Sequence, residues 1–530
     1  MDSEHIETSQ AARSEDVTST IAVGAGPLRV ADVVAVARDG RGVHLDPAAI
    51  EGIRSSTALI ESLASDPVPH YGISTGFGAL ATTHIPLASR AQLQLGLIRS
   101  HAAGSGPHVE REVVRALMVL RLSTLATGRT GVQETTAKAY ATMLSAGITP
   151  VVHEYGSLGC SGDLAPLAPC ALALVGEGEV RDASGALMPA GEALRAFALT
   201  PITLREKEGL ALINGTDGML GMLCLALADL EALLRLADVA AAMSVEGLLG
   251  TDDVFAADLQ ALRPHPGQAA SAANLRALLA DSSMRASRRD GAVYTRVQDA
   301  YSLRCAPQVH GAARDTVTHA RSVAERELAS AVDNPVITSD GRVESNGNFH
   351  GAPIAYVLDF LAIVTADVAS MSERRTDRFL DTARNHGLPP FLADDPGVDS
   401  GHMIAQYTQA AIVSELKRLA APASVDSIPS SAMQEDHVSM GWHAGRKLRR
   451  AIDGLRRVLA VEILTAARGL ELRAPLQPGP ASRAAIAVLR AAGWAGPGPD
   501  RYLGADIELA VQALESGRLL AAVEEVSPLG

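Results

Sequence analysis

The chain has 530 residues, enough for about three domains of average size or for one large helical body. Its 46 Lys and Arg against 60 Asp and Glu give a net charge of -14, which argues against a nucleic-acid or anionic-membrane partner. The four cysteines lie far apart, without the spacing of a metal site or a disulfide framework. We therefore predict no metal and a reducing, cytoplasmic setting.

In chain order, the first two predicted regions differ in composition. Residues 1–20 are polar and acidic, lack the segments of a signal peptide, and are predicted to form a disordered tail. Residues 21–213 are predicted to form a mixed N-terminal domain of short helices. Within it, "LRVADVVAVARDG" and "GEVRDASGALMPAGEAL" suggest small strands or hairpins.

Residues 214–530 are predicted to form a domain of long helices. In "RKLRRAIDGLRRVLAVEIL" the apolar residues recur every three or four positions, which places them on one helix face. They are Leu448, Ile452, Leu455, Leu459 and Ile463. Similar patterns run through 307–333, 355–381 and 403–419. The predicted fold class is mainly α, a long antiparallel helical bundle with a smaller mixed N-terminal region.

The longest apolar tract, "GMLGMLCLALADLEALLRLADVAAAM", is interrupted by acidic and basic residues. Charged side chains are costly inside a bilayer, so this tract is predicted to be a buried core helix and no membrane partner is expected.

The segment "GSLGCSGDLAPLAP" interrupts the helical pattern with Gly and Pro. In one interpretation Ser161 or Asp163 caps a helix that begins at Leu164. In another, a tight turn brings the nitrogen of Gly162 to the carbonyl of Cys160, and Ser161 then loses its hydroxyl as water. The product would be a five-membered ring with an exocyclic methylene, an electrophile made from protein alone. The turn by itself leaves both interpretations open.

Further segments, taken in order, resemble those of a known protein family and favour the ring-forming interpretation of the turn. They include "HYGISTGFG", "LIRSHAAGSGP", "INGTDGML", "RVQDAYSLRCAPQVHGA", "NGNFHGAPIA" and "SSAMQEDHVSMG". Over most of its length the chain resembles the histidine and aromatic amino-acid ammonia-lyase family, whose members build 4-methylidene-imidazol-5-one (MIO). The resemblance implies that MIO forms autocatalytically from Cys160, Ser161 and Gly162, and that no external cofactor is needed. It also implies a homotetramer whose active sites collect loops from different subunits.

The resemblance assigns the principal catalytic roles. Tyr71 would be the catalytic base, although the ordinary pKa of tyrosine, about 10, requires a site that favours the phenolate. Tyr301 and Arg304 are three residues apart and would share a helix face. Arg304 would pair with the substrate carboxylate, and Tyr301 would position MIO or move a proton. Outside these motifs, a core tyrosine and a structural arginine would be the ordinary interpretations.

Three secondary residues follow from the same resemblance. Gln298 lies one helical turn before Tyr301, Asn214 would hydrogen-bond the ring or the substrate, and Phe349 would cover the ring. An Asn-Gly turn and a core phenylalanine are the structural alternatives for Asn214 and Phe349.

The predicted substrate depends on His101 and Glu435, a combination that resembles histidine ammonia-lyases. An imidazole has one donor and one acceptor, which these two side chains can satisfy together, whereas a phenyl ring would leave Glu435 unpaired. The predicted reaction is elimination of ammonia from the small-molecule substrate L-histidine to give trans-urocanate. In it, the α-amino group, or alternatively the substrate ring, adds to MIO, and Tyr71 removes the β-proton.

Several positions depart from the histidine-specific pattern of the family. They are Ser74, Ala79, Cys160, Asp217, Ala306, Leu416 and Met433. The departures leave a modified histidine or another aromatic amino acid open as substrate. A tyrosine 2,3-aminomutase is the alternative function, because a phenol could hydrogen-bond to His101. An inactive helical scaffold is disfavoured, because a homologue that had lost its chemistry should lack at least one of five residues that are all present here: Tyr71, Ser161, Gly162, Tyr301 and Arg304.

Overall fold

The chain forms two compact units, each assembled from three segments. The computed structural model describes residues 20–70, 72–76, 83–284 and 297–530, so the predicted tail lies outside the described residues except for Thr20. Unit 1 contains the residues up to Ala228, Arg321–Leu358 and Pro422–Arg446. Unit 2 contains Asp229–Ala320, Asp359–Ala421 and Lys447–Gly530. The division at 213/214 was drawn from composition along the sequence, and it stays a prediction.

Helices account for most of the described residues, which confirms the mainly α fold class. In chain order they are α1 (Val30–Ala37), α2 (Pro47–Ala64), α3 (Arg90–His101), α4 (Arg111–Leu125), α5 (Glu134–Ser145), α6 (Leu164–Leu174), α7 (Ala190–Ala196), α8 (Glu208–Ile213), α9 (Asp217–Gly247), α10 (Ala257–Ala261), α11 (Pro266–Leu278), α12 (Tyr301–Arg304), α13 (Ala306–Leu328), α14 (Ala352–Leu380), α15 (Met403–Leu419), α16 (Gly441–Glu471), α17 (Pro480–Ala491), α18 (Leu503–Glu515) and α19 (Arg518–Val526).

Strands are short and, in the described part of the chain, all belong to unit 1. They are β1 (Ile21–Val23), β2 (Val43–Leu45), β3 (Ser105–His108), β4 (Thr149–Pro150), β5 (His153–Tyr155), β6 (Glu179–Arg181), β7 (Leu187–Pro189), β8 (Val336–Ile337) and β9 (Val343–Glu344). The pair β1–β2 is parallel, and the pairs β3–β5, β4–β6, β6–β7 and β8–β9 are antiparallel.

The two predicted strand regions of the N-terminal part have different outcomes. The hairpin in "GEVRDASGALMPAGEAL" is confirmed as β6–β7, with Val180 opposite Met188. The strand in "LRVADVVAVARDG" is wrong, because this segment forms α1. Val30, Val33 and Val36 are buried at a spacing of three, so burial of one helix face outweighs the β propensity of valine.

The long amphipathic helices are confirmed. The predicted stripe on α16 is buried throughout, with at most 1% exposure at Leu448, Ile452, Leu455, Leu459 and Ile463. The apolar tract that begins at Gly218 lies within α9, which is buried along most of its length. Among the described helices, α14 is long and apolar enough to cross a membrane, but 61% of its most apolar window is buried inside the protein, as in a core helix.

A buried carboxylate ties three helices together in unit 2. Glu462 on α16 accepts two hydrogen bonds from the guanidinium of Arg375 on α14, at 2.5 and 2.8 Å. The hydroxyls of Ser372 on α14 and Ser244 on α9 donate to the same carboxylate at 2.5 and 2.7 Å. All four side chains are fully buried, so each charge depends on these partners rather than on water.

We expect Glu462→Leu to destabilise the protein by about 3–5 kcal/mol, because it leaves the buried Arg375 without its counter-charge. The double variant with Arg375→Met removes both charges and is expected to recover most of that loss. Urea unfolding followed by circular dichroism measures both. The exposed Glu415–Arg418 pair supplies the control, since Glu415→Gln should change the midpoint little. Equal midpoints for Glu462→Leu and Glu415→Gln would contradict the expectation.

Candidate active site

The Cys160-Ser161-Gly162 segment forms a tight turn between β5 and α6 in unit 1. Gly162 has φ +76°, a backbone conformation that disfavours residues with a side chain. Cys160 and Gly162 pair with each other as an isolated bridge, so the chain is compressed at this point. Such compression is what an approach of the Gly162 nitrogen to the Cys160 carbonyl requires.

The turn packs directly on Gly215, which lies two residues before the start of α9. A Cβ atom at position 162 would lie only 2.0 Å from the carbonyl oxygen of Gly215, so no side chain fits there. The backbone nitrogen of Asp163 donates a hydrogen bond to the same oxygen at 2.7 Å. The turn is therefore held against the segment that carries Asn214.

Asp163 corrects one detail of the helix-cap interpretation. It occupies the N-cap position of α6, which begins at Leu164 as predicted, but its side chain makes no hydrogen bond to that helix. Its carboxylate instead accepts from the Ser157 hydroxyl at 3.0 Å and from the Met219 nitrogen at 2.8 Å. Complete burial raises its pKa to about 7, although these hydrogen bonds lower it. Asp163 thus fastens the turn to α9.

The chain that precedes α16 also contacts the turn. The nitrogen of Met440 donates to the carbonyl of Leu158 at 3.0 Å, and the Ser439 hydroxyl donates to the carbonyl of Gly159 at 3.3 Å. These bonds fix the end of the "QEDHVSMG" segment beside the turn.

A fourth segment, which carries Phe349, reaches the same place. A Cβ at Gly351 would lie 2.3 Å from the sulfur of Met219 and 3.2 Å from the Ser439 hydroxyl. The rings of His350 and His437 lie 5.6 Å apart. Phe349 is half-buried and lies in the loop between β9 and Gly351. Because Gly351 and His350 contact Ser439 and His437, this loop lies beside the "QEDHVSMG" segment.

Cys160 and Glu435 lie next to each other. Two effects raise the pKa of Cys160 to about 11. The larger is burial, and the smaller is the neighbouring Glu435 carboxylate, with which the thiol forms a hydrogen bond. The thiol is therefore protonated and unreactive as a nucleophile near neutral pH. Glu435 is half-buried, and its carboxylate also accepts from the hydroxyl of Ser430 at 3.1 Å. The structure thus brings the predicted specificity carboxylate to the predicted ring.

His101 is the last residue of α3, and one of its ring nitrogens has a backbone hydrogen-bond partner. Nδ1 lies 2.8 Å from the carbonyl oxygen of Leu97. Because a carbonyl only accepts, Nδ1 carries a proton, and Nε2 of the neutral ring is left as an acceptor. His101 also lines a cavity of about 580 Å³ whose other lining residues include Thr83 and Ile85.

Asn214 is almost completely buried at the end of α8. Its amide nitrogen donates to the carbonyl of Asn334 at 2.9 Å. Its amide oxygen has no hydrogen-bond partner among the described residues. A buried, unsatisfied acceptor beside Gly215 is available to a ligand, as the predicted role requires.

The remaining predicted site residues belong to unit 2 or lie outside the described residues. Tyr301 and Arg304 belong to unit 2 and share a helix face as predicted, with the guanidinium carbon 4.6 Å from the centre of the tyrosine ring. Arg304 also donates from Nε to the carbonyl of Asp299 at 2.9 Å. Tyr301 is 69% exposed and Gln298 is exposed. Tyr71 lies outside the described residues.

The described departures from the histidine-specific pattern differ in their exposure and in their position. Ala306 and Leu416 are buried, and Met433 is exposed. Ser74 is buried and accepts from the nitrogen of His70 at 2.9 Å. Ala79 lies outside the described residues.

Cys160 belongs to the turn itself, and Asp217 lies beside Gly215, on which the turn packs. Asp217 forms an ion pair with Arg121 at 3.2 Å, and both side chains are buried. Sequence reasoning did not single out Arg121. The available signal was an arginine inside the apolar stretch "VVRALMVLRLSTL", where an unpaired charge would be costly.

Comparison with known proteins gives one consistent result. A model of the aromatic amino acid lyase family matches residues 28–491. Histidine ammonia-lyase from Streptomyces avermitilis is 63% identical over 508 residues, covering 96% of this chain and 99% of that relative. Histidine ammonia-lyase from Streptomyces griseus is 64% identical over 510 residues, with coverage of 96% and 99%.

Solved structures agree with this assignment. Tyrosine aminomutase from Streptomyces globisporus matches with a TM-score of 0.91 at 35% identity, covering 97% of this chain and 100% of that one. Histidine ammonia-lyase from Trypanosoma cruzi matches with a TM-score of 0.88 at 36% identity, covering 96% of each chain. The chain therefore belongs to the aromatic amino acid lyase family and is a carbon–nitrogen lyase.

Proposed function

We propose that this protein eliminates ammonia from L-histidine to give trans-urocanate, using MIO formed from Cys160, Ser161 and Gly162. The observation that carries the proposal is the contact between Glu435 and Cys160, which puts a carboxylate suited to an imidazole beside the turn. The relatives named histidine ammonia-lyase, which match nearly the whole chain, support the same substrate.

The residues of the turn fit the proposed prosthetic group. Gly162 has the required positive φ, and its contact with Gly215 leaves no room for a side chain. In such lyases MIO supplies an electrophilic carbon that makes the substrate amino group a better leaving group. The chain's own residues must then orient the substrate, remove a proton and stabilise charge.

Recognition of the imidazole ring follows from the two side chains that flank it in this proposal. His101, whose Nδ1 donates to the carbonyl of Leu97, would accept the ring N–H at Nε2. The other ring nitrogen, when it carries a proton, would donate a hydrogen bond to the Glu435 carboxylate. A phenyl ring satisfies neither group and leaves Glu435 desolvated without a partner, which disfavours phenylalanine.

The proton transfer and carboxylate binding are inferred from the family. Tyr71 would remove the β-proton, and Arg304 would bind the substrate carboxylate through its planar guanidinium. Gln298, Asn214 and Phe349 would complete the site. The 69% exposure of Tyr301 in the single chain supports a homotetramer in which a second copy covers this ring.

The cellular setting completes the proposal. The four cysteines are free, which supports a reducing cytoplasmic location. The acidic net charge of -14 supports a small-molecule substrate without a nucleic-acid or anionic-membrane partner.

Replacing Ser161 tests the electrophile. We expect Ser161→Ala to lower the turnover of L-histidine at least roughly 1,000-fold, because rate enhancements by enzymes are typically far larger than this and depend here on MIO. Urocanate is followed by its ultraviolet absorbance and ammonia by a coupled assay. Ser184→Ala, in the exposed β6–β7 turn, is the matched control and should retain full activity.

Two outcomes of this assay would overturn the proposal. One is wild-type turnover by Ser161→Ala. The other is formation of β-tyrosine from L-tyrosine by the wild-type protein, without ammonia release from L-histidine, which would identify an aminomutase.

Replacing Glu435 tests the substrate. We expect Glu435→Gln to lower kcat/KM for L-histidine roughly 10- to 100-fold, the loss typical of a charge-assisted hydrogen bond. Asp436→Asn removes the same charge one residue further along, on an exposed side chain, and should leave kcat/KM unchanged. If both variants retain wild-type kcat/KM, Glu435 does not recognise the ring.

A further inference from the structure

A buried ion pair, Arg121 with Asp217, lies directly against Gly215. A Cβ atom at Gly215 would lie 2.5 Å from Nη2 of Arg121 and 2.5 Å from Oδ2 of Asp217. Gly215 in turn contacts Gly162 so closely that position 162 has no room for a side chain. The ion pair, Gly215 and the turn are therefore in continuous contact within unit 1.

The guanidinium of Arg121 joins three segments of the chain. Nη1 donates to the carbonyls of Ala211 and Asn214 at 3.0 and 2.7 Å. Nη2 donates to the carbonyl of Val332 at 3.1 Å and lies 3.2 Å from Asp217. Because the planar guanidinium fixes the directions of its donors, these partners cannot move independently of one another.

The two charges also suit the helix ends that they adjoin. Arg121 lies at the carboxyl end of α8, where the carbonyls of Ala211 and Asn214 point, and a cation is favoured there. Asp217 is the first residue of α9, where an anion is favoured. Arg121 is fully buried and Asp217 is 4% exposed, so water cannot replace either partner.

We propose that Arg121 and Asp217 are positioning residues for formation of the prosthetic group. They hold Gly215 against Gly162, so that the Gly162 nitrogen remains within reach of the Cys160 carbonyl carbon. This inference rests on the proposed function, because it concerns the same electrophile.

The covalent step that the pair supports needs no other reactant. The Gly162 nitrogen bonds to the Cys160 carbonyl carbon, and that carbonyl oxygen leaves as water with the amide protons of Gly162 and Ser161. Ser161 then loses its α-proton and its hydroxyl as a second water, which creates the exocyclic double bond. Nothing is oxidised or reduced, so the completed ring is the original chain minus two waters.

The test measures ring formation separately from turnover. The protein is synthesised in a cell-free reaction, and samples are quenched at intervals. Intact-mass spectrometry then measures the fraction of protein that has lost the mass of two waters. In Arg121→Lys, a single ammonium cannot hold four partners. We expect ring formation to slow by roughly 10- to 100-fold, the effect of losing a charge-assisted hydrogen bond. Asp217→Asn keeps the shape but loses the charge, and should show a smaller slowing.

The matched control is Arg115→Lys. Arg115 lies on the same helix and is 1% exposed. Among the described residues it donates to two carbonyls away from the turn, those of Val36 and Leu144, at 2.9 and 3.0 Å. It should lower the unfolding midpoint, yet the folded protein should form the ring at the wild-type rate. This separates positioning from a general loss of stability.

Each outcome decides the inference. Wild-type ring formation in folded Arg121→Lys overturns it, and so does slowing of the same size in Arg115→Lys. If Arg121→Lys does not fold, Asp217→Asn answers the same question. A wild-type protein that never loses the two waters overturns the proposed function, and this inference with it.

Discussion

The contact between Gly162 and Gly215 is the constraint on which the rest of the site depends. The backbone of the turn lies so close to Gly215 that even one methyl group at either position would collide with its neighbours. Asp163 fastens the turn on one side through Met219 at the start of α9, and Ser439 and Met440 fasten it on the other. The conformation of the turn is therefore held by its surroundings as well as by its own glycine residues.

Buried charges hold the long helices in register, and they do so in both units. Arg121 with Asp217 in unit 1 and Arg375 with Glu462 in unit 2 have every charge paired inside the protein. Desolvation of such pairs is expensive, so they contribute less to net stability than their short distances suggest. Their contribution is directional, because apolar packing alone would allow the helices to slide by a fraction of a turn.

Periodicity predicted the elements whose structure depends on one apolar face. The α16 stripe from Leu448 to Ile463 and the start of α6 at Leu164 follow from spacing and turn chemistry alone. Periodicity failed at α1, where valine-rich sequence suggested a strand but tertiary burial selected a helix. Local pattern was thus sufficient only where it agreed with long-range packing.

Motifs predicted the residues of the candidate site, but they did not predict the buried residues and contacts that hold the site in place. Resemblance singled out Cys160 and Glu435 separately, and their contact appears only in the folded chain. Arg121 could not be found in the same way, because its partners at Asn214 and Val332 are distant in sequence and most are main-chain carbonyls. Backbone acceptors carry no residue-type signal, so sequence patterns do not reveal them.

The same long-range contacts can form only after late segments of the chain have been synthesised. Arg121 completes its set of partners only after Val332 has been made, and the Leu158 carbonyl acquires its donor only with Met440. A nascent chain that has not yet reached Met440 therefore lacks some of the contacts that hold the turn in place. The proposed electrophile would then form only after the segments that surround the turn have been made, which would limit its exposure to the thiols and amines of the cell.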